Sequence, residues 1–213
     1  MAEEALGLRE RKKRQTAMRI WRSALTLFLE RGYDKVSVAE IAAAADVSKM
    51  TVFNYFGTKE DVLLGPMEDH VSDAADAVRE REPGESAVSA LRRQFLAKVA
   101  ERDPSIGLSD DVRLVQMRQL ITDTPTLARR TLFFQMRGIE LLAEVLTEET
   151  GDRLLAGVAA HQLVAARDAV ILENHRRLLA GDRAEDIAVD CAALAERAFD
   201  LVEKGLQGYP GNL

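Results

Sequence analysis

The chain has 213 residues, of which 47% are hydrophobic. That is enough for one large or two small domains, and no run approaches the ~20 apolar residues of a membrane span. A single cysteine, Cys191, excludes an intrachain disulfide and, with no signal-peptide core at the N-terminus, leads us to expect a cytoplasmic protein without a membrane partner. The net charge of −6 excludes a surface that binds nucleic acid everywhere, but the charge is unevenly spread. Residues 9–59 hold 11 Lys and Arg against 5 Asp and Glu, a balance of +6, so the remainder carries −12. A basic end on an acidic body is the asymmetry of a nucleic-acid reader attached to something else.

Residues 1–8 show no periodicity and are expected to be disordered. Arg9, Arg11, Lys12, Lys13 and Arg14 follow as a basic run. Such a run is most often a solvated face, but its position also suits contact with phosphates or a minor groove. The first helix is expected over about Gln15 to Arg31, with Ala17, Trp21, Ala24 and Phe28 inward, Leu25 beside them and Gly32 as the stop.

Residues 37–61 read as two short helices and the start of a third. Ser37 is a good N-cap, and Glu40 three residues on completes a capping box. Val38, Ile41 and Ala42 give that helix one apolar face, and Asp46-Val47 is the turn. Ser48 caps a second helix over Lys49 to Tyr55. Val52 and Phe56 point inward with Val47, which leaves Lys49, Met50, Thr51, Asn54 and Tyr55 outside. Thr58 caps the next helix, with Asp61 completing a weaker box. Helix, tight turn and helix with a polar outer face is the helix-turn-helix pattern, whose second helix enters the DNA major groove. Asn54 suits adenine, Lys49 guanine or a phosphate, and the Thr51 and Tyr55 hydroxyls phosphate; Met50 suits a thymine methyl. Lys59 lies in the first turn of a helix, where a cation opposes the helix dipole unless a phosphate is near.

Residues 15–64 resemble the DNA-binding domain of the TetR family of bacterial repressors. Phe28, Gly32-Tyr33, Ser37-Val38, Ile41-Ala42, Ala45, Val47-Ser48-Lys49, Thr51, Tyr55-Phe56 and Thr58-Lys59-Glu60-Asp61 carry the resemblance, over about a quarter of the chain. Met50 stands where the family often has Gly, and Phe53 where it often has Tyr, so no polar phosphate contact is carried onto Phe53.

The fourth helix is expected from Lys59 to about Arg81 with a kink at Gly65-Pro66, where the proline ring meets the Val62 carbonyl. That kink is either static or a hinge. Glu82-Pro83-Gly84 ends it. Further helices are expected over Ser86 to Arg102, Ser109 to Thr122 and, opened by Thr124-Pro125, to about Thr150. Val112, Val115 and Leu120 face inward on the second of these, and Leu127, Phe134, Leu141 and Val145 on the third. The last two helices, about Arg153 to Ala180 and Ala184 to Leu206, are apolar on more than one face. That implies burial against another chain.

No phosphate-binding loop, nucleophile elbow or zinc spacing occurs, so neither an enzyme nor a cofactor or metal site is expected. His161, Asp168 and His175 stand seven apart on one helix, about 10.5 Å per step, too far for one metal. They read as interface or internal hydrogen bonds, or as part of a ligand pocket.

The fold class expected is all-α, about nine helices: a DNA-binding head over 9–64 and a helical body over 65–213. The family resemblance implies a homodimer through the last two helices, a double-stranded operator and a small-molecule effector that releases it. Ser37, Lys49, Met50, Thr51, Asn54, Tyr55 and Lys59 are the DNA candidates. Phe95, Met117, Phe134, His161 and Asp168 are the ligand-pocket candidates. The competing reading is an architectural DNA-binding protein with little sequence preference.

Overall fold

The computed structural model describes residues 7–205, and among them ten α-helices and no strand. The expected fold class holds, with one helix more than the nine foreseen. The chain forms two compact units. One comprises the residues up to Glu68 together with Gln119–Thr131, the other Asp69–Arg118 together with the residues from Leu132 on.

The first unit begins with α1, Leu8–Arg31. It starts seven residues before the expected Gln15, so the basic run lies within the helix. Lys and Arg are good helix formers, and Glu10 in the first turn lies 3.8 Å from Lys13. Of the residues expected to be disordered, 1–6 lie outside the described residues. The inward stripe of α1 is Ile20, Ala24, Leu25 and Phe28. Trp21, expected inward, is half-buried and donates its indole N–H to the Leu63 carbonyl at 3.0 Å.

Helix α2 spans Val38–Ala44 and α3 Lys49–Tyr55. Between them the Val47 N–H reaches the Ala42 carbonyl at 3.0 Å and the Asp46 N–H the Ala43 carbonyl at 3.2 Å. These paired bonds form a Schellman stop, with Asp46 in the left-handed position at φ 51°. Aspartate tolerates that conformation better than most residues.

Helix α4 runs Lys59–Glu68 with Pro66 inside it. The helical chain breaks at residues 69–72, beyond the expected Gly65-Pro66 kink, before α5 resumes over Asp73–Arg79. This break supplies the tenth helix. Gly65 has a packing role: a Cβ there would lie 2.9 Å from Cε1 of Phe56.

In the second unit α6 spans Ala87–Ala100, capped by Ser86. After a 3-10 turn at Pro104–Ile106, α7 (Val112–Asp123), α8 (Pro125–Thr150), α9 (Arg153–Leu179) and α10 (Ala184–Gly205) follow, the end of α7 and the start of α8 belonging to the first unit. The cap of α7 is Asp111, whose carboxylate accepts from the Arg113 N–H at 2.8 Å. The helix therefore starts three residues after Ser109, and Val112, expected inward, is exposed on its first turn. Leu127, Phe134 and Val145 of α8 are buried as expected.

Helix α10 packs on α9 and α6. Phe95 meets Phe199 edge-on at 6.2 Å, and Arg92 bonds Asp200 and Glu203 at 2.9 Å each. Ala156, Ala159, Ala160, Leu163, Val164 and Val170 place α9 in the core, which accounts for a helix whose length and mean hydropathy match a membrane span. The apolar residues left outward are Leu154, Val158, Leu172 and Leu179 on α9 and Val189 and Leu201 on α10.

Candidate nucleic-acid interface

The outer face of α3 is held by its caps. Ser48 Oγ accepts from the Thr51 N–H at 3.0 Å and lies 2.8 Å from Thr51 Oγ1. The Thr51 hydroxyl is therefore partnered within the helix, while Lys49, Met50, Phe53 and Asn54 face solvent and Tyr55 is half-buried.

Ser37 is equally engaged. Its hydroxyl donates to Glu40 Oε2 at 2.8 Å, its backbone N–H does the same at 2.8 Å, and the Glu40 N–H donates back to Ser37 Oγ at 3.3 Å. Arg31 closes on Glu40 Oε1 at 2.7 Å. The Ser37 backbone N–H, then its hydroxyl and Arg31, hold the Glu40 carboxyl down at about 2. The corner that sets the entry of α2 is thus a full capping box with an arginine clamp.

Lys59 sits differently from its expected place at a phosphate. Its ammonium donates to the Tyr33 carbonyl at 2.6 Å, 4.0 Å above the Tyr33 ring and 5.7 Å from that of Phe28. Partial burial pushes its pKa down. Thr58 Oγ1 accepts from the Asp61 N–H at 3.2 Å, the capping half of the expected box. The Asp61 carboxylate turns to Arg130 at 2.8 Å instead. That partner lies 69 residues away in sequence, where no local pattern could reveal it.

The basic run reinforces α3. Arg9, Lys12, Lys13 and Thr16 of α1, with Leu8, line one groove together with Asn54 and Tyr55. Cations from the first turns of α1 and the Asn54 amide of α3 therefore share a surface. An anionic backbone and base edges meet that combination in a duplex. A helical start to α1 is what delivers the cations there, and starting the helix at Gln15 missed this arrangement.

The ligand candidates of the body have different surroundings. Phe95 is core against Phe199, and Phe134 is buried beside Phe133 at 6.3 Å. Met117 is half-buried. Asp168 accepts from Gln135 Nε2 at 2.6 Å and from Arg167 at 2.9 Å. His161 is exposed and bonded to the Gly157 carbonyl of its own helix at 2.8 Å. Of the three residues at steps of seven, His161 is exposed while Asp168 and His175 are half-buried, in keeping with a spacing that drifts about 20° per step around a helix.

The buried polar groups are different ones. Asn174 is fully buried, with its amide on the Ile106 carbonyl at 2.8 Å and Cys191 Sγ at 3.2 Å. Burial, and next the charge of Arg118, push His175 down to about 3. Asn174 interrupts an apolar face, a signal the sequence carried.

The chain matches the family described as bacterial regulatory proteins, tetR family, over residues 20–65. It is 33% identical over 174 residues to the HTH-type transcriptional regulator TcmR of Streptomyces glaucescens, covering 80% of this chain and 68% of TcmR. In fold it is similar to NalD, the secondary repressor of the MexAB-OprM multidrug efflux pump in Pseudomonas aeruginosa, with a TM-score of 0.55 at 20% identity over 88% of this chain and 96% of NalD. The SmeT–triclosan complex gives 0.53 at 18% over 90% and 91%. The likeness to TcmR over 80% of the chain, added to a head whose caps, turn and outward residues are those of a helix-turn-helix, shows that the chain belongs to the TetR family of transcriptional regulators.

Proposed function

We propose that this regulator is a cytoplasmic homodimeric repressor. It binds a palindromic operator through α3 and is released by a small apolar or amphipathic molecule held in the body of α4 to α10. The observation that carries the DNA half is the shared surface of Asn54, Tyr55, Lys12 and Lys13, with Lys49 and Met50 beside it on the same exposed helix. The candidate contacts are Lys49, Met50, Asn54 and Tyr55. Thr51 and Ser37 act chiefly through the caps that aim α2 and α3, and Lys59 by bracing the head on Tyr33.

The dimer half rests on the apolar side chains that α9 and α10 leave outward, Leu154, Val158, Leu172, Val189 and Leu201. A two-fold pair of heads matches a palindromic site. The effector half rests on two supports: SmeT, of similar fold, was solved with triclosan, and the second unit holds polar side chains, the buried Asn174 and the half-buried His175, among apolar helices. Selecting bound duplexes from random DNA tests the reading. An inverted repeat is the expected product, and enrichment of no common sequence would refute it.

A further inference from the structure

Two large apolar residues stand outward on α3. Met50 is 67% exposed and Phe53 40% exposed. Three residues apart, they lie next to each other on one helix face. Ile20, Leu25, Phe28, Leu63 and Leu64 of the same head are buried, and beside Met50 and Phe53 only Leu8 and Met18 of α1 are large apolar residues exposed on its helices among the described residues. The apolar pair is set among polar groups: the Lys49 ammonium lies 5.8 Å from the Phe53 ring centroid, and Asn54 is exposed beside it. The face therefore suits a partner that is anionic around its edge and apolar at one point. In a DNA major groove the apolar feature is the C5-methyl group of a thymine, flanked by polar base edges and phosphates.

We propose that Met50 and Phe53 read thymine methyl groups, so that each half-site contains one or two thymines chosen by apolar contact. The inference rests on the DNA-binding reading above and names the base chemistry it implies. Phe53, a ring without a hydroxyl, has no hydrogen bond to give a phosphate and is left to pack against the methyl. Lys49 supplies the charge that holds the helix in the groove, while Asn54 reads a neighbouring position by hydrogen bonds.

Deoxyuridine tests this directly, because it lacks the methyl and keeps every hydrogen-bonding atom of thymine. Each thymine of the duplex obtained by selection is replaced in turn, and binding of the full chain is measured. At one or two positions per half-site the affinity should fall about fourfold per methyl. Met50→Gln and Phe53→Ala, both on exposed positions of a helix, should bind the thymine duplex more weakly and lose the sensitivity to deoxyuridine there. Unchanged affinity at every replaced thymine, with the duplex still bound in preference to scrambled DNA, overturns the inference alone. Full sensitivity in both variants overturns it too, since other groups would then feel the methyl. If no duplex is preferred over any other, the DNA reading fails and the inference falls with it.

Discussion

Asn54 and His175 show how differently two polar side chains are used. Asn54 stands in solvent on α3 and lines the groove with Lys12 and Lys13. A bidentate amide–adenine contact discriminates by roughly 1–3 kcal/mol. Asn54→Ala should therefore relax preference at one position per half-site, measured by competition among the four bases there. A uniform loss of affinity with the preference intact would remove it as a base reader.

His175 is turned inward, and burial with Arg118 nearby pushes it from 6.5 to about 3. Between those values the unfolded chain binds a proton that the folded chain does not, so stability falls as pH drops through the window, by at most about 1.4 kcal/mol per unit. From pH 7 to 5 the native protein should lose roughly 1–2 kcal/mol more than His175→Gln in denaturant unfolding. Parallel curves would show that His175 is solvated. The outward residue was legible because a short capped helix leaves few positions ambiguous. The inward one was not, because its partners on the 3-10 turn and α7 come from distant sequence.

At the scale of elements, the capping residues were read correctly and the breaks were not. Ser37, Ser48 and Ser86 each accept from the N–H three residues on, and that signal is local. A proline inside a pattern marks a kink, while tertiary packing decides how far the helix continues, and the expected run to Arg81 was too long. Here α4 carries Pro66 to Glu68 and breaks at 69–72, so the pair Gly65-Pro66 needs another explanation. Gly65 is fixed by the Phe56 ring, which a Cβ would approach to 2.9 Å at Cε1 and 3.3 Å at Cδ1.

Alanine in place of glycine inside a helix ordinarily gains about 1 kcal/mol, but forcing the ring aside costs about 1–3 kcal/mol. Gly65→Ala should lower the melting temperature of the head, whereas Pro66→Ala, which restores a helical N–H, should raise it. A higher melting temperature for Gly65→Ala would show that the ring yields freely. Asp61 makes the same point about distance: its capping backbone was legible, and its partner Arg130, on the segment that returns to the first unit, was not.

For the whole molecule, the charge asymmetry and the surplus of apolar surface were legible, and the content of the body was not. The last two helices were expected to be apolar all round. The structure divides that surface into an inner face, with Leu163, Val164, Ile187, Cys191 and Phe199 buried, and outward residues such as Leu154, Val158, Leu172, Val189 and Leu201. Composition could not separate those two sets, because both satisfy helical periodicity. The outward set is what a second copy would cover, and two copies would present two α3 helices to a palindrome.

The central claim, a sequence-specific dimeric regulator, is tested most directly by titrating the full chain against the selected duplex and against a scrambled duplex of equal length, at about 0.15 M salt, with the bound mass recorded by light scattering. The account predicts chains bound in pairs, in steps of twice 23.6 kDa, and a preference of at least about 10³ for the selected duplex. Single chains bound with a preference near one would contradict it and leave an architectural DNA-binding protein.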